Sequence, residues 1–141
     1  MTTLQKPKSK SILKRILHRT YKPVVEAWID TERSFRYKQV HLKVFPGVFH
    51  PGLFYSTKLL LRYLEKFDLR DKTVLELGAG SGLLSIVAAG KKAKVTASDI
   101  SQAALKNVAL NSKMNHVEIE LIGSDLFDRI PKQVFDFILI N

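Results

Sequence analysis

The chain has 141 residues, 45% of them hydrophobic, and a formal net charge of +10; that balance suits one domain with a core of its own and excludes a disordered chain. No apolar run reaches the roughly eighteen residues of a membrane-spanning helix, so no membrane span is expected. Cysteine is absent, which excludes disulfides, thiolate metal sites and cysteine nucleophiles and suits a reducing, cytoplasmic setting.

The charge is unevenly placed. Residues 1–43 carry eleven Lys/Arg against three Asp/Glu, whereas residues 44–141 carry twelve against ten, and the first acid is Glu26. Residues 1–43 therefore read as a basic, partly helical N-terminal extension. Three uses for it stay open: a solvated tail, a transit-type targeting segment, or a nucleic-acid or ribosome contact through basic residues 6–43 that neutralises phosphates. The apolar core of a secretory signal is missing, so secretion is not expected.

In chain order, residues 1–9 read as disordered. Ser11 can cap a helix to about His18, with Ile12, Leu13, Ile16 and Leu17 on one face. After Pro23, the residues Val24, Val25 and Trp28 suggest a second short helix ending near Asp30. Phe35, Tyr37, Val40, Leu42 and Val44 alternate loosely, as in a strand or hairpin arm. Two prolines and two glycines in residues 45–52 force a loop. Ser56 or Thr57 then caps a helix carrying Leu59, Leu60, Leu61, Tyr63 and Leu64, which stops near Phe67.

From there the pattern is regular. Strands are expected at 73–77, 93–98, 117–122 and 135–140. Helices are expected at 83–89, closed by Gly90 as a left-handed cap, and at 102–114, opened by Ser101. Strand, helix, strand, helix, strand implies parallel pairing with right-handed crossovers, hence an open α/β sheet of Rossmann-like form with flanking helices.

The chemistry concentrates at strand ends. The turn Gly78-Ala79-Gly80-Ser81-Gly82 allows close backbone approach, and the next helix offers free N–H groups. A dinucleotide fingerprint would put its third glycine at position 83, which is Leu, and no G-K-[ST] follows for a P-loop. The turn has no Lys or Arg, but Glu76 stands two residues before it. An acid there suits a ligand that brings positive charge, and S-adenosylmethionine (SAM) carries a sulfonium and an ammonium group. Asp99, at the tip of the second strand, can accept both hydroxyls of a ribose, with Ile100 against an adenine face. Asp125, after the third strand, can accept an adenine amino group while the Leu126 N–H donates to a ring nitrogen. His50 stands alone between loop residues, and His18, His41 and His116 have no metal spacing, so no metal is expected.

Residues 74–82 with Asp99, Asp125 and Asn141 resemble the class I SAM-dependent methyltransferases, within them the release-factor glutamine methyltransferase-like group and its small-domain N-methyltransferase relatives. The resemblance covers about residues 44–141. It implies the first four strands of a seven-stranded sheet, with Glu76 near the methionyl part of SAM, Gly78, Gly80 and Gly82 beneath it, Asp99 on the ribose, and Asp125 and Leu126 on the adenine. Asn141 falls where the amino-methylating branch begins Asn-Pro-Pro-aromatic. It implies an amide carbonyl that orients a planar NH2 group, on a protein glutamine or on an RNA or DNA base. Thr57 matches the threonine of a segment that closes over SAM. A sheet cut after its fourth strand would leave an apolar edge that reads as buried on both faces. The sequence thus implies a fragment of a longer enzyme, a partner chain or a swapped dimer. A non-catalytic SAM-binding remnant or interaction module is the alternative to an enzyme.

Overall fold

A computed structural model describes residues 31–141; the expected helices at 11–18 and 24–30 lie outside the described residues. The first elements form a hairpin, β1 (Arg33–Tyr37) and β2 (Val40–Val44), paired antiparallel from Arg33 opposite Val44 to Tyr37 opposite Val40. Its alternation has the period of a strand buried on one face. Leu42 and Val44 are buried, and Phe35, Tyr37 and Val40 pack against the same core. The outward face carries Arg36 and His41.

The proline- and glycine-rich loop follows, with one 3-10 turn at Pro51–Leu53. Helix α1 spans Tyr55–Leu64. Neither Ser56 nor Thr57 caps it: the N-cap is Phe54, which makes no side-chain capping bond. The Thr57 hydroxyl instead accepts a hydrogen bond from Asn141 Nδ2 at 2.7 Å, and α1 buries Leu61 and Leu64 against the core.

Four parallel strands make the central sheet: β3 (Thr73–Leu77), β4 (Lys94–Asp99), β5 (Glu120–Gly123) and β6 (Phe137–Ile140), in the order β5-β4-β3-β6. Leu77 pairs with Ser98 on one side and with Ile140 on the other. Helix α2 (Leu83–Gly90) connects β3 to β4, and α3 (Gln102–Met114) connects β4 to β5. The order reverses at β3, since β4 and β5 lie to one side and β6 to the other. Such a reversal opens a crevice at the carboxyl ends of the strands.

Hydrogen bonding explains most boundaries and three departures. Ser101 caps α3 as expected, its Oγ accepting from the Ala104 N–H at 3.3 Å. Gly90 is the last helical residue of α2 and not a left-handed cap; the left-handed residue is Lys92, at φ 69°. The carbonyls at the end of α2 are met by the Lys91 and Lys92 N–H groups. Lys91 Nζ reaches across to the carbonyls of Leu64, Glu65 and Phe67. β5 starts at Glu120 and not at 117, because its pairing with β4 begins only at Thr96 opposite Glu120. β6 starts after Asp136, whose Oδ2 accepts from the Thr73 N–H at 2.8 Å and from Thr73 Oγ1 at 2.9 Å. Those bonds, helped by Lys72, hold its carboxyl below the ordinary carboxylate range.

Among the described residues β6 is not buried on both faces: Leu139 is buried, whereas Ile138 is 49% and Ile140 63% exposed. The main core lies on the other side of the sheet, where Val74, Val95 and Leu139 meet Leu84, Ile86 and Ala88 of α2. A smaller cluster joins Ala79, Ala97 and Val108. No described helix is long and apolar enough to cross a membrane.

Candidate active site

The glycine turn is pinned from three directions. The Ala79 N–H donates to the Ser98 carbonyl at 2.9 Å, the Gly82 N–H to the Ala79 carbonyl at 2.8 Å, and the Gly80 N–H to Asp99 Oδ2 at 2.9 Å. Two glycines have different reasons to be there. Gly80 has φ 53° and faces Phe49 across the crevice, where an added Cβ would lie 3.5 Å from that of Phe49. Gly82 has φ 80° and is the N-cap of α2; an added Cβ would sit 2.9 Å from Val108 Cγ1, so this glycine lets α3 approach the turn.

Glu76 ends up buried one residue before the end of β3. Its Oε2 accepts from the Ser85 N–H at 2.9 Å and from Ser85 Oγ through a short bond. Burial pushes its carboxyl up to about 7; the Ser85 bonds pull it down, and the Asp99 charge adds a smaller upward push. Ser85 was not among the expected site residues. Its signal was available, as the single hydroxyl in an otherwise apolar helix.

Asp99 closes β4 with both oxygens engaged: Oδ2 by Gly80 and Oδ1 by the Ser101 N–H at 2.9 Å. Each carboxylate oxygen has two lone pairs, so each can accept one more hydrogen bond. Across the crevice Asn141 follows β6, and its Nδ2 donates to Thr57 Oγ1. That bond joins residues 84 positions apart in the chain and leaves the amide carbonyl as the free end of the side chain.

These groups surround one cavity of about 280 Å³, lined by Glu76, Gly78, Gly80, Asp99, Thr57 and Asn141 among others. The facing wall is the loop residues Gly47, Val48, Phe49 and Pro51, none of which was an expected site residue; a loop shows no periodicity from which burial can be read. Among the described residues no Lys, Arg or His lines the cavity. The two acids of this lining, Glu76 and Asp99, suit a ligand bearing positive charge better than a pyrophosphate.

A second cavity of about 280 Å³ continues along residues 100–102, lined by Ile100, Gln102, Gly123, Ser124, Asp125, Asp128 and Arg129. Ile100 is 71% exposed over it. Gly82 and Leu126 line neither cavity: Gly82 packs on α3, and Leu126, at φ 44°, is 61% exposed. The turn around them is set by Ser124, whose Oγ donates to the Leu126 carbonyl and accepts from the Arg129 N–H, both at 3.0 Å.

His50 lines neither cavity. Its Nδ1 accepts from the Gly52 N–H at 3.2 Å and its ring meets Phe35 edge-on. Burial, with the nearby Arg33 charge, holds its pKa below the ordinary histidine value. Among the described residues no group of three His, Asp or Glu is placed to hold a metal ion.

The methyltransferase small domain family matches residues 39–141. A protein named as an N5-glutamine methyltransferase of Methanocaldococcus jannaschii is 41% identical over 103 residues, covering 72% of this chain and 50% of that protein. A ribosomal RNA small subunit methyltransferase C of Hamiltonella defensa is 34% identical over 77% of this chain and 32% of its own length. A ribosomal protein L11 methyltransferase of Prochlorococcus marinus is 34% identical over 84% of this chain and 42% of its own. Among solved structures, a T. thermophilus 16S rRNA methyltransferase in complex with AdoMet and guanosine superposes with a TM-score of 0.65 at 26% identity, over 79% of this chain and 32% of that one. The chain spans half or less of the length of each of these proteins.

Proposed function

The chain belongs to the methyltransferase small domain family, and from that premise we propose that it binds SAM in the crevice at β3, β4 and β6 and serves methyl transfer to a planar nitrogen. One observation carries the reading: Asn141, held by Thr57, opens onto the same cavity as Glu76 and Asp99. When bound, SAM supplies an electrophilic methyl group on a sulfonium. Everything else falls to the residues of this chain.

In this reading Glu76 holds the methionyl ammonium, Gly78 and Gly80 give the backbone room beside it, and Asp99 accepts the ribose hydroxyls. The second cavity receives the adenine, with Ile100 against its face and Asp125 accepting its amino group; Leu126 offers its N–H, and Gly82 acts through packing. Asn141 accepts a hydrogen bond from the acceptor NH2 group on its carbonyl while Thr57 holds its amide nitrogen. The planar nitrogen then presents its lone pair toward the cavity, and catalysis rests on positioning and exclusion of water.

The domain in this reading begins with the hairpin near residue 33 rather than at 44, because Leu42 belongs to the core. The acceptor is a protein glutamine or an RNA or DNA base. The basic excess of residues 1–43 favours RNA or a ribosome-bound substrate.

Calorimetry of the 141-residue chain with SAM and with NADH tests the cofactor. SAM binding without NADH binding is expected, and the opposite result would sink the reading. Transfer of labelled methyl from SAM to ribosomal RNA fragments and to glutamine peptides then sorts the acceptors.

A further inference from the structure

Asn107 and Asn111 of α3 and its C-cap Asn115 are four residues apart and therefore in one stripe. The stripe faces the edge of β2 that β1 leaves unpaired. The His41 N–H donates to Asn115 Oδ1 at 3.0 Å, and Asn115 Nδ2 returns a bond to the His41 carbonyl at 2.7 Å. Lys43 exchanges the same pair of bonds with Asn111, at 2.9 and 2.8 Å. The Phe45 N–H donates to Asn107 Oδ1 at 2.9 Å, while Asn107 Nδ2 reaches the Lys43 carbonyl at 2.8 Å.

The fit is geometric. Four helical residues rise about 6.0 Å and two strand residues about 6.7 Å, so every fourth side chain of a helix meets every second residue of a strand. An asparagine carries one carbonyl and one NH2 group, the same pair that a strand neighbour would offer. The stripe therefore works as a third strand built from side chains.

Of the three, Asn111 alone reaches the glycine turn, its Nδ2 donating also to the Ser81 carbonyl at 2.9 Å. Asn115 spends its spare N–H on the Asn111 carbonyl within α3. Ser81 belongs to one wall of the first cavity; β2 leads through Phe45 into Gly47, Val48 and Phe49, which form the other. Asn111 is fully buried and does not line the cavity.

We infer that Asn111 is a positioning residue that sets the separation of the two walls of the ligand cavity, tying the glycine turn to the strand that carries the facing loop. The inference rests on reading that cavity as the SAM site. Asn115 is its internal control, since it makes the same pair of strand bonds at the end of β2 that does not lead to the cavity.

Wild-type chain is measured first. Saturating SAM slows amide exchange at Lys43 and Phe45 by about tenfold and leaves His41 within about twofold. In calorimetry, Asn111→Ala weakens SAM binding by about tenfold or more, whereas Asn115→Ala lowers Tm to a similar degree and keeps Kd within about twofold. Equal exchange changes at His41 and Lys43, or equal loss of affinity in the two variants, would overturn the inference, and the exchange experiment decides even where Asn111→Ala does not fold. Wild-type chain that binds no SAM overturns the cofactor reading itself, and this inference with it.

Discussion

In the proposed reading, Glu76 couples ligand binding to pH. Its folded pKa, raised to about 7 by burial, exceeds that of the unfolded chain, so between the two values the folded state holds a proton that the unfolded state has lost. Stability therefore falls as pH rises from about 4.5 to about 7, by roughly 3 kcal/mol. Glu76→Gln removes that slope in urea titrations across this range. A cationic ligand favours the ionised form, so SAM affinity in the wild type rises as pH passes 7, and the variant loses both the affinity and the pH dependence. Asn141→Ala, by the positioning argument, lowers kcat by about 100-fold and leaves the KM for SAM within a few-fold. A fall confined to KM would move Asn141 from the acceptor to the cofactor. Gly82→Ala combines a left-handed backbone with a contact against Val108 and costs roughly 3 kcal/mol of stability, read as a lower urea midpoint.

The elements divide into those that carry the core and those that leave a face open. Leu42 of β2 is buried in the main cluster, and Leu42→Ala is expected to cost about 2–5 kcal/mol. Ile138 of β6 is half exposed on the edge strand, although its neighbour Leu75 of β3 on the same face is buried, so Ile138→Thr in this chain should stay within about 0.5 kcal/mol. Thermal unfolding of the two variants side by side tests this contrast, and a large loss for Ile138→Thr would mean that the β6 edge is covered. Element types were readable from residue pattern; the strands, α2 and α3 follow it to within three residues at each end. The departures have two kinds of cause: Thr57 and the start of β5 are decided by distant partners, Asn141 and the register with β4, whereas at Gly90 the neighbouring Lys91 and Lys92 N–H groups meet the last carbonyls and Lys92 takes the left-handed turn.

At the scale of the molecule, charge and topology separate. Residues 1–22 hold seven Lys/Arg and no acid. Their deletion is expected to weaken RNA binding and to flatten its salt dependence, measured as the slope of log Kd against log salt; an unchanged slope would leave them a solubilising tail. Within 31–43, Lys38 is paired with Glu65 at 2.6 Å, so one charge of the basic excess is already spent within the fold. The sequence by itself determined the parallel α/β arrangement and the acids at strand ends, because periodicity and loop chemistry are local properties of the chain. Only the tertiary structure decided that Thr57 meets Asn141, that Ser85 meets Glu76, that the loop around Phe49 forms a cavity wall, and that Gly82 serves packing. Apart from Ser85 and Glu76, which meet across the glycine turn, each is a contact between segments distant in sequence, fixed by strand order and helix packing. The candidate site at the glycine turn therefore forms only where β6 returns beside β3 and Asn111 of α3 meets both β2 and that turn.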